Sequence, residues 1–118
     1  MTGDRRLDPL IEAVTVDCYN DAERATAFST AFTENVLLPA VASLLGTAVT
    51  VVEVDIGEDG ASLVARCARG EVERWLALTD LEFPADTVAA RLHAAYRRER
   101  GLTPYPFTMP DDWTLDWL

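Results

Sequence analysis

The hydrophobic period of this chain changes along its length, and that change restricts it to a mixed fold. Over 20–36, Ala25, Phe28, Phe32 and Val36 recur at three- and four-residue steps, which lays one apolar stripe along a helix. Asn20 stands where an N-cap is needed, and Glu23 three residues on completes a capping-box pattern. Asp21 adds negative charge at the positive end of that helix. Leu37-Leu38-Pro39 ends it. From Thr47 the period becomes two: Thr50, Val52, Val54 and Ile56 share one face, and Val49, Val51, Glu53 and Asp55 share the other. Residues 57–60 (Gly-Glu-Asp-Gly) read as a turn into a strand over 61–68, with Leu63, Ala65 and Cys67 inward. Arg69-Gly70 reads as a second turn, into a strand over 71–78 with Val72, Leu76 and Leu78 inward.

Helices are expected at both ends. A short one over 8–14 carries Pro9 in its first turn, where a missing N–H costs nothing. The last, over 86–100, is capped by Asp86 or Thr87, striped by Val88, Leu92, Ala95 and Tyr96, and stopped by Gly101 after Arg97, Arg98 and Arg100. Hairpin-linked strands between helices predict an α+β fold. The sheet is a small antiparallel β-meander or a partly open SH3-like barrel, with the N-terminal helices packed on it and a C-terminal helix plus an aromatic tail behind it. A length of 118 residues suits one domain, 1–118. Folding at that size buries roughly two thirds of the unfolded chain's surface, enough for a core without staples.

Charge narrows the function. Twenty acidic residues face ten basic ones, every one of them Arg, for a net charge of −10. Nucleic-acid backbones and anionic membrane surfaces repel such a chain, whereas a cation or a basic partner suits it. The two cysteines, Cys18 and Cys67, are too few for a disulfide framework and have no C-x-x-C spacing. Neither an apolar signal segment nor a run near the ~18 residues of a membrane span is visible, so the expected location is the cytoplasm. His93 is the one histidine, expected at the surface or packed by its stem, away from either cysteine. No phosphate-loop, dinucleotide or nucleophile-elbow motif occurs, and an enzyme is not expected.

The remaining candidates each have a bland explanation beside the functional one. Glu53, Glu71 and Glu73 fit a solvated sheet face, where Arg66 falls opposite Glu73 and diagonal to Glu53. Asp17, Asp21, Glu23 and Glu34 offer the hard oxygens that calcium takes six to eight of, but capping already accounts for Asp21 and Glu23, and the EF-hand loop pattern is absent. Trp113 and Trp117 lie four apart behind Pro110-Asp111-Asp112. They either dock on the domain's own core or form a patch for a partner or a second copy.

The stretch Val16-Asp17-Cys18-Tyr19-Asn20-Asp21-Ala22-Glu23, with Phe28, Glu34, Leu38-Pro39 and Gly46-Thr47-Ala48-Val49-Thr50-Val51, resembles the small acidic calcium-binding protein family first described in cyanobacteria. The pattern is a D-x-Y-x-x-x-E opening to a helix, an F/L-P step at its end, and G-x-x-V-x-V entering a short meander. It spans about 12–83 and leaves the last helix and the tail, 101–118, outside. Ala40-Val41-Ala42 stands where the family has an aromatic after the F/L-P step. The resemblance implies a meander or barrel with packed helices, and calcium held by surface carboxylates without an EF-hand. Asp17, Tyr19, Glu23 and Glu34 match position by position. The expected ligands are then Asp17, Asp21, Glu23 and Glu34, with Asp80 and Glu82 from the end of the sheet, in a calcium buffer or sensor. The alternative is a protein-interaction module acting through its acidic face or through Trp113 and Trp117.

Overall fold

The structure is a computed structural model, and it describes residues 5–109. A 3-10 turn over Arg5–Leu7 leads into α1 (Asp8–Val14) and then α2 (Asp21–Asn35). Four strands follow: β1 (Ala40–Leu44), β2 (Thr47–Ile56), β3 (Leu63–Arg69) and β4 (Val72–Ala77). A second 3-10 turn, Leu78–Asp80, precedes α3 (Val88–Glu99). The strands form an open antiparallel sheet in the order β1-β2-β3-β4. The expected α+β meander with packed helices is therefore the fold found, with the sheet left open rather than closed into a barrel.

The first strand was not expected. β1 is Ala-Val-Ala-Ser-Leu, without the β-branched alternation that marks a strand. Its hairpin turns through Leu45 (φ 50°) and Gly46 (φ 80°), both left-handed, where an Asn-Gly or Asp-Gly pair is the usual signal. Leu45 is a branched, fully exposed residue in that conformation, so the turn is held by the ladder around it rather than by its own preference.

The faces of β2 also differ from strict alternation. Pairing with β3 shifts between Val51 and Glu53, a β-bulge at Val52 that reverses the phase partway along the strand. Val49 and Val51 point to the core before the bulge, and Val54 and Ile56 after it. One period-two assignment cannot describe both halves. On β3 the inward set is Leu63, Ala65 and Cys67, as expected. Val72, expected inside, is about half exposed at the sheet edge.

Arg66 lies opposite Glu53 and Trp75, reaching Glu53 at 3.1 Å and Glu73 at 2.8 Å. The expected opposite and diagonal partners are exchanged because Arg69 pairs with Val72, which centres one turn on Gly70-Glu71, and because Ile56 pairs with Leu63, which lengthens the other loop to 57–62. The β2–β3 loop is set by Asp59, whose carboxylate accepts from Ala61 N (3.0 Å), Ser62 N (2.9 Å) and Ser62 Oγ (2.5 Å). These bonds, the Ser62 hydroxyl first, hold its pKa below the ordinary Asp value.

At the centre is α3, which is buried far beyond a stripe. Every residue from Ala89 to Tyr96 is buried, including Arg91 and His93. α2 and α1 pack on one side of it, and residues 103–109 fold back along another. Its arginines tie the surrounding segments to it. Arg97 donates to Thr79 O (2.6 Å) and Thr103 O (2.7 Å) and lies over the Tyr105 ring. Arg98 pairs with Asp8 of α1 at 2.9 Å, and Arg100 donates to Ala61 O at 2.8 Å. Arg97, Arg98 and Arg100 thus act as internal reinforcement.

Tyr96 links helix and sheet: its hydroxyl accepts from Leu63 N at 2.9 Å, and its ring meets Phe28 at 5.3 Å between centroids. Tyr96→Phe keeps the ring and removes the acceptor, which leaves the Leu63 N–H buried without a partner. The expected loss is about 1–3 kcal/mol of unfolding free energy, read as a lower midpoint in urea at unchanged slope.

Candidate metal centre

The carboxylates of the expected ligand set are held mainly by the start of α2. The chain leaves α1 through a turn in which Cys18 N–H donates to Thr15 O at 3.0 Å, with Asp17 in the left-handed region at φ 63°. That conformation is tolerated by Asp better than by most side chains. Asn20 caps α2 as expected, its side-chain oxygen accepting from Glu23 N at 2.8 Å. Glu23 reaches back in turn: Oε2 accepts from Tyr19 N at 3.1 Å and Oε1 from Asn20 Nδ2 at 3.3 Å. Both its oxygens thus serve the cap. The back-bond lands one residue before the position that a capping box prescribes.

Asp21 is exposed, and Arg24 stands beside it at 3.3 Å. Arg24 also approaches Glu99 of α3 at 3.7 Å. Burial, ahead of the lowering effect of Arg24, raises the Glu99 pKa. The i,i+3 spacing of Asp21 and Arg24 was a visible signal for this pairing; the reach of Arg24 to Glu99 was not, because it joins residues 75 apart.

Glu34 is exposed in the last turn of α2, eleven residues beyond Glu23. At 1.5 Å per residue the two backbones are separated by about 16 Å along the helix axis. Asp80 and Glu82 are exposed on the connection after β4, where Glu82 is fixed through its backbone by a bridge to Ser43 (N–H to Ser43 O 2.9 Å). Asp17, Asp21 and Glu23 therefore share one end of α2, and Glu34 does not join them. Among the described residues no group of three or more His, Cys, Asp or Glu is placed to hold a metal ion. The donor type suits calcium, but the placement seen is not a closed ligand shell. Trp113 and Trp117 lie outside the described residues.

Of the two cysteines, both free, Cys18 is partly exposed. Cys67 is buried, and burial raises its thiol pKa. His93, expected at the surface or held by its stem, is wholly buried. Its Nε2 is 2.7 Å from Leu78 O, and its ring lies between Phe83 (5.4 Å) and Tyr105 (5.8 Å). Among the described residues, no helix is long and apolar enough to cross a membrane.

Neither a protein-family model nor a curated protein sequence matches the chain. Two solved structures do. One is a calcium binding protein in its calcium-binding form, 17% identical, with a TM-score of 0.65 over 84% of this chain and 94% of that one. The other is CcbP from Anabaena, 16% identical, with a TM-score of 0.69 over 91% and 98%. Nearly the whole of both chains is spanned, and at such low identity what is shared is the fold: this chain has the architecture of these two proteins.

Proposed function

We propose that the protein is a calcium-binding module that acts without catalytic chemistry, in the cytoplasm. The observation that carries this reading is the shared fold, which spans 84% and 91% of the chain against two proteins described by their calcium binding or as CcbP. The net charge of −10 and the exposed carboxylates at the start of α2 support it. Asp17, Asp21 and Glu23 are the donors that lie near one another in sequence at one end of a helix. Glu34, Asp80 and Glu82 remain proposed ligands that need a further approach of their segments. Because Glu23 already serves the cap and Asp21 faces Arg24, calcium must displace existing bonds, and its affinity is lowered accordingly.

Isothermal titration in metal-free buffer at low ionic strength is expected to give heat with calcium and less with magnesium. Calcium should also raise the melting temperature, since a ligand of the native state stabilises it by RT ln(1 + [L]/Kd). Asp17→Asn keeps a residue that tolerates the left-handed conformation and takes no part in the cap. It should weaken binding without lowering the metal-free melting temperature. No heat and no shift up to millimolar calcium would overturn the reading.

A further inference from the structure

The segment after α3 carries the chain toward an apolar groove. Arg97 donates to Thr103 O, Tyr105 stacks on His93, and Arg91 donates to Thr108 O at 3.2 Å while Thr108 N–H donates to Ala85 O at 2.8 Å. Residues 103–108 thus run antiparallel to α3, from its last turn back to its start. At that start, between the end of α2 and the first turn of α3, lies a groove of about 390 Å³ lined by Val36, Leu37, Val41, Phe83, Thr87 and Val88. Leu37 and Val41 are exposed at its rim, at 91% and 64%.

We propose that this groove is the docking site of the chain's own C-terminal segment, residues 110–118, with a tryptophan indole, Trp113 or Trp117, seated between Leu37 and Val88. The point of departure favours this occupant: Thr108 is bonded to Ala85, two residues from Thr87 on the groove wall. Reach allows it, because nine residues extend up to about 30 Å. Chemistry matches it, because the segment holds Trp113, Leu115, Trp117 and Leu118, and each indole presents on the order of 150–250 Å² for burial.

Charge matches as well. The segment carries Asp111, Asp112 and Asp116 and no base, and two arginines stand where it departs. Arg6 lies 4.8 Å from the Phe107 ring, and Arg91 is buried against Thr108 with its Nε–H lacking an acceptor among the described residues. A carboxylate three or four residues beyond Thr108 meets favourable charge there.

The full-length chain with Trp75→Phe reports the tail alone, since its remaining tryptophans are Trp113 and Trp117. Their emission is expected to be blue-shifted and protected from acrylamide at every protein concentration, in a chain that sediments as a monomer. Adding Leu37→Asp, at a position that is already solvent-exposed, is expected to move the emission to the value of the unfolded chain while the far-UV circular dichroism melt persists. Three results would each overturn the assignment. The emission is solvent-like from the outset; or protection appears only on concentration and is lost on dilution, which puts a second copy in the groove; or protection persists through both Leu37→Asp and Val41→Asp, which puts the tail elsewhere.

Discussion

Replacing Phe28 with alanine is expected to remove about 3–5 kcal/mol of stability, a large share of the roughly 5–15 kcal/mol by which a domain is folded. Phe28 is wholly buried on the inner face of α2, with its ring 5.3 Å from that of Tyr96. That contact is where α2 meets the central helix, and Tyr96 in turn holds β3 through Leu63. Truncation opens a cavity at the junction of helix and sheet, and its other wall is fixed by a hydrogen bond and cannot collapse freely. The measurement is urea unfolding of the variant and the parent. A loss of unfolding free energy below about 1 kcal/mol would show that this junction is not tightly packed.

A second large effect is expected from acid. Burial, with a smaller contribution from the Arg97 charge, lowers the pKa of His93 to about 4, although its bond to Leu78 O acts in the opposite direction. The ring is enclosed by Phe83, Tyr105 and the 3-10 turn after β4, and the Arg97 charge acts on it. A histidine with a depressed folded pKa stabilises the native state in its neutral form. Its contribution is fully present above the ordinary value of 6.5 and is lost as pH falls from there toward 4, because the unfolded chain binds the proton first. A shift of this size corresponds to about 3 kcal/mol. His93→Gln can still donate to Leu78 O but does not titrate, so its unfolding free energy should fall less than the parent's between pH 6.5 and 4. Parallel pH profiles for the two chains would show that His93 does not drive the acid sensitivity.

What the sequence disclosed and what it hid follow from the range of the interactions. Local chemistry was legible: Asn20 and Glu23 announced the cap of α2, the pair Asp86 and Thr87 offered that of α3, which is Thr87, and the α+β class followed from the change of period. The bulge at Val52 was hidden, because one extra residue in a strand leaves no mark on composition and reverses only the pattern after it. β1 was hidden behind alanines and a Leu-Gly turn. His93 looked like a surface or stem-packed residue because its enclosure comes from Phe83 and Tyr105, on segments that precede and follow α3. The carboxylates were visible as residues, but whether they converge is a three-dimensional property. Glu34 lies near Glu23 on a helical wheel and about 16 Å away along the axis.

The enclosure of α3 has a consequence for how the chain is made. Its eight consecutive buried residues, 89–96, are the surface against which α1, α2 and the sheet complete their packing, yet they are synthesised after all of those elements. Until then Phe28 lacks the Tyr96 ring, and the Leu63 N–H lacks the Tyr96 hydroxyl. Folding is accordingly expected to wait for the synthesis of α3, and a nascent chain that stalls before residue 88 exposes apolar surface to chaperones.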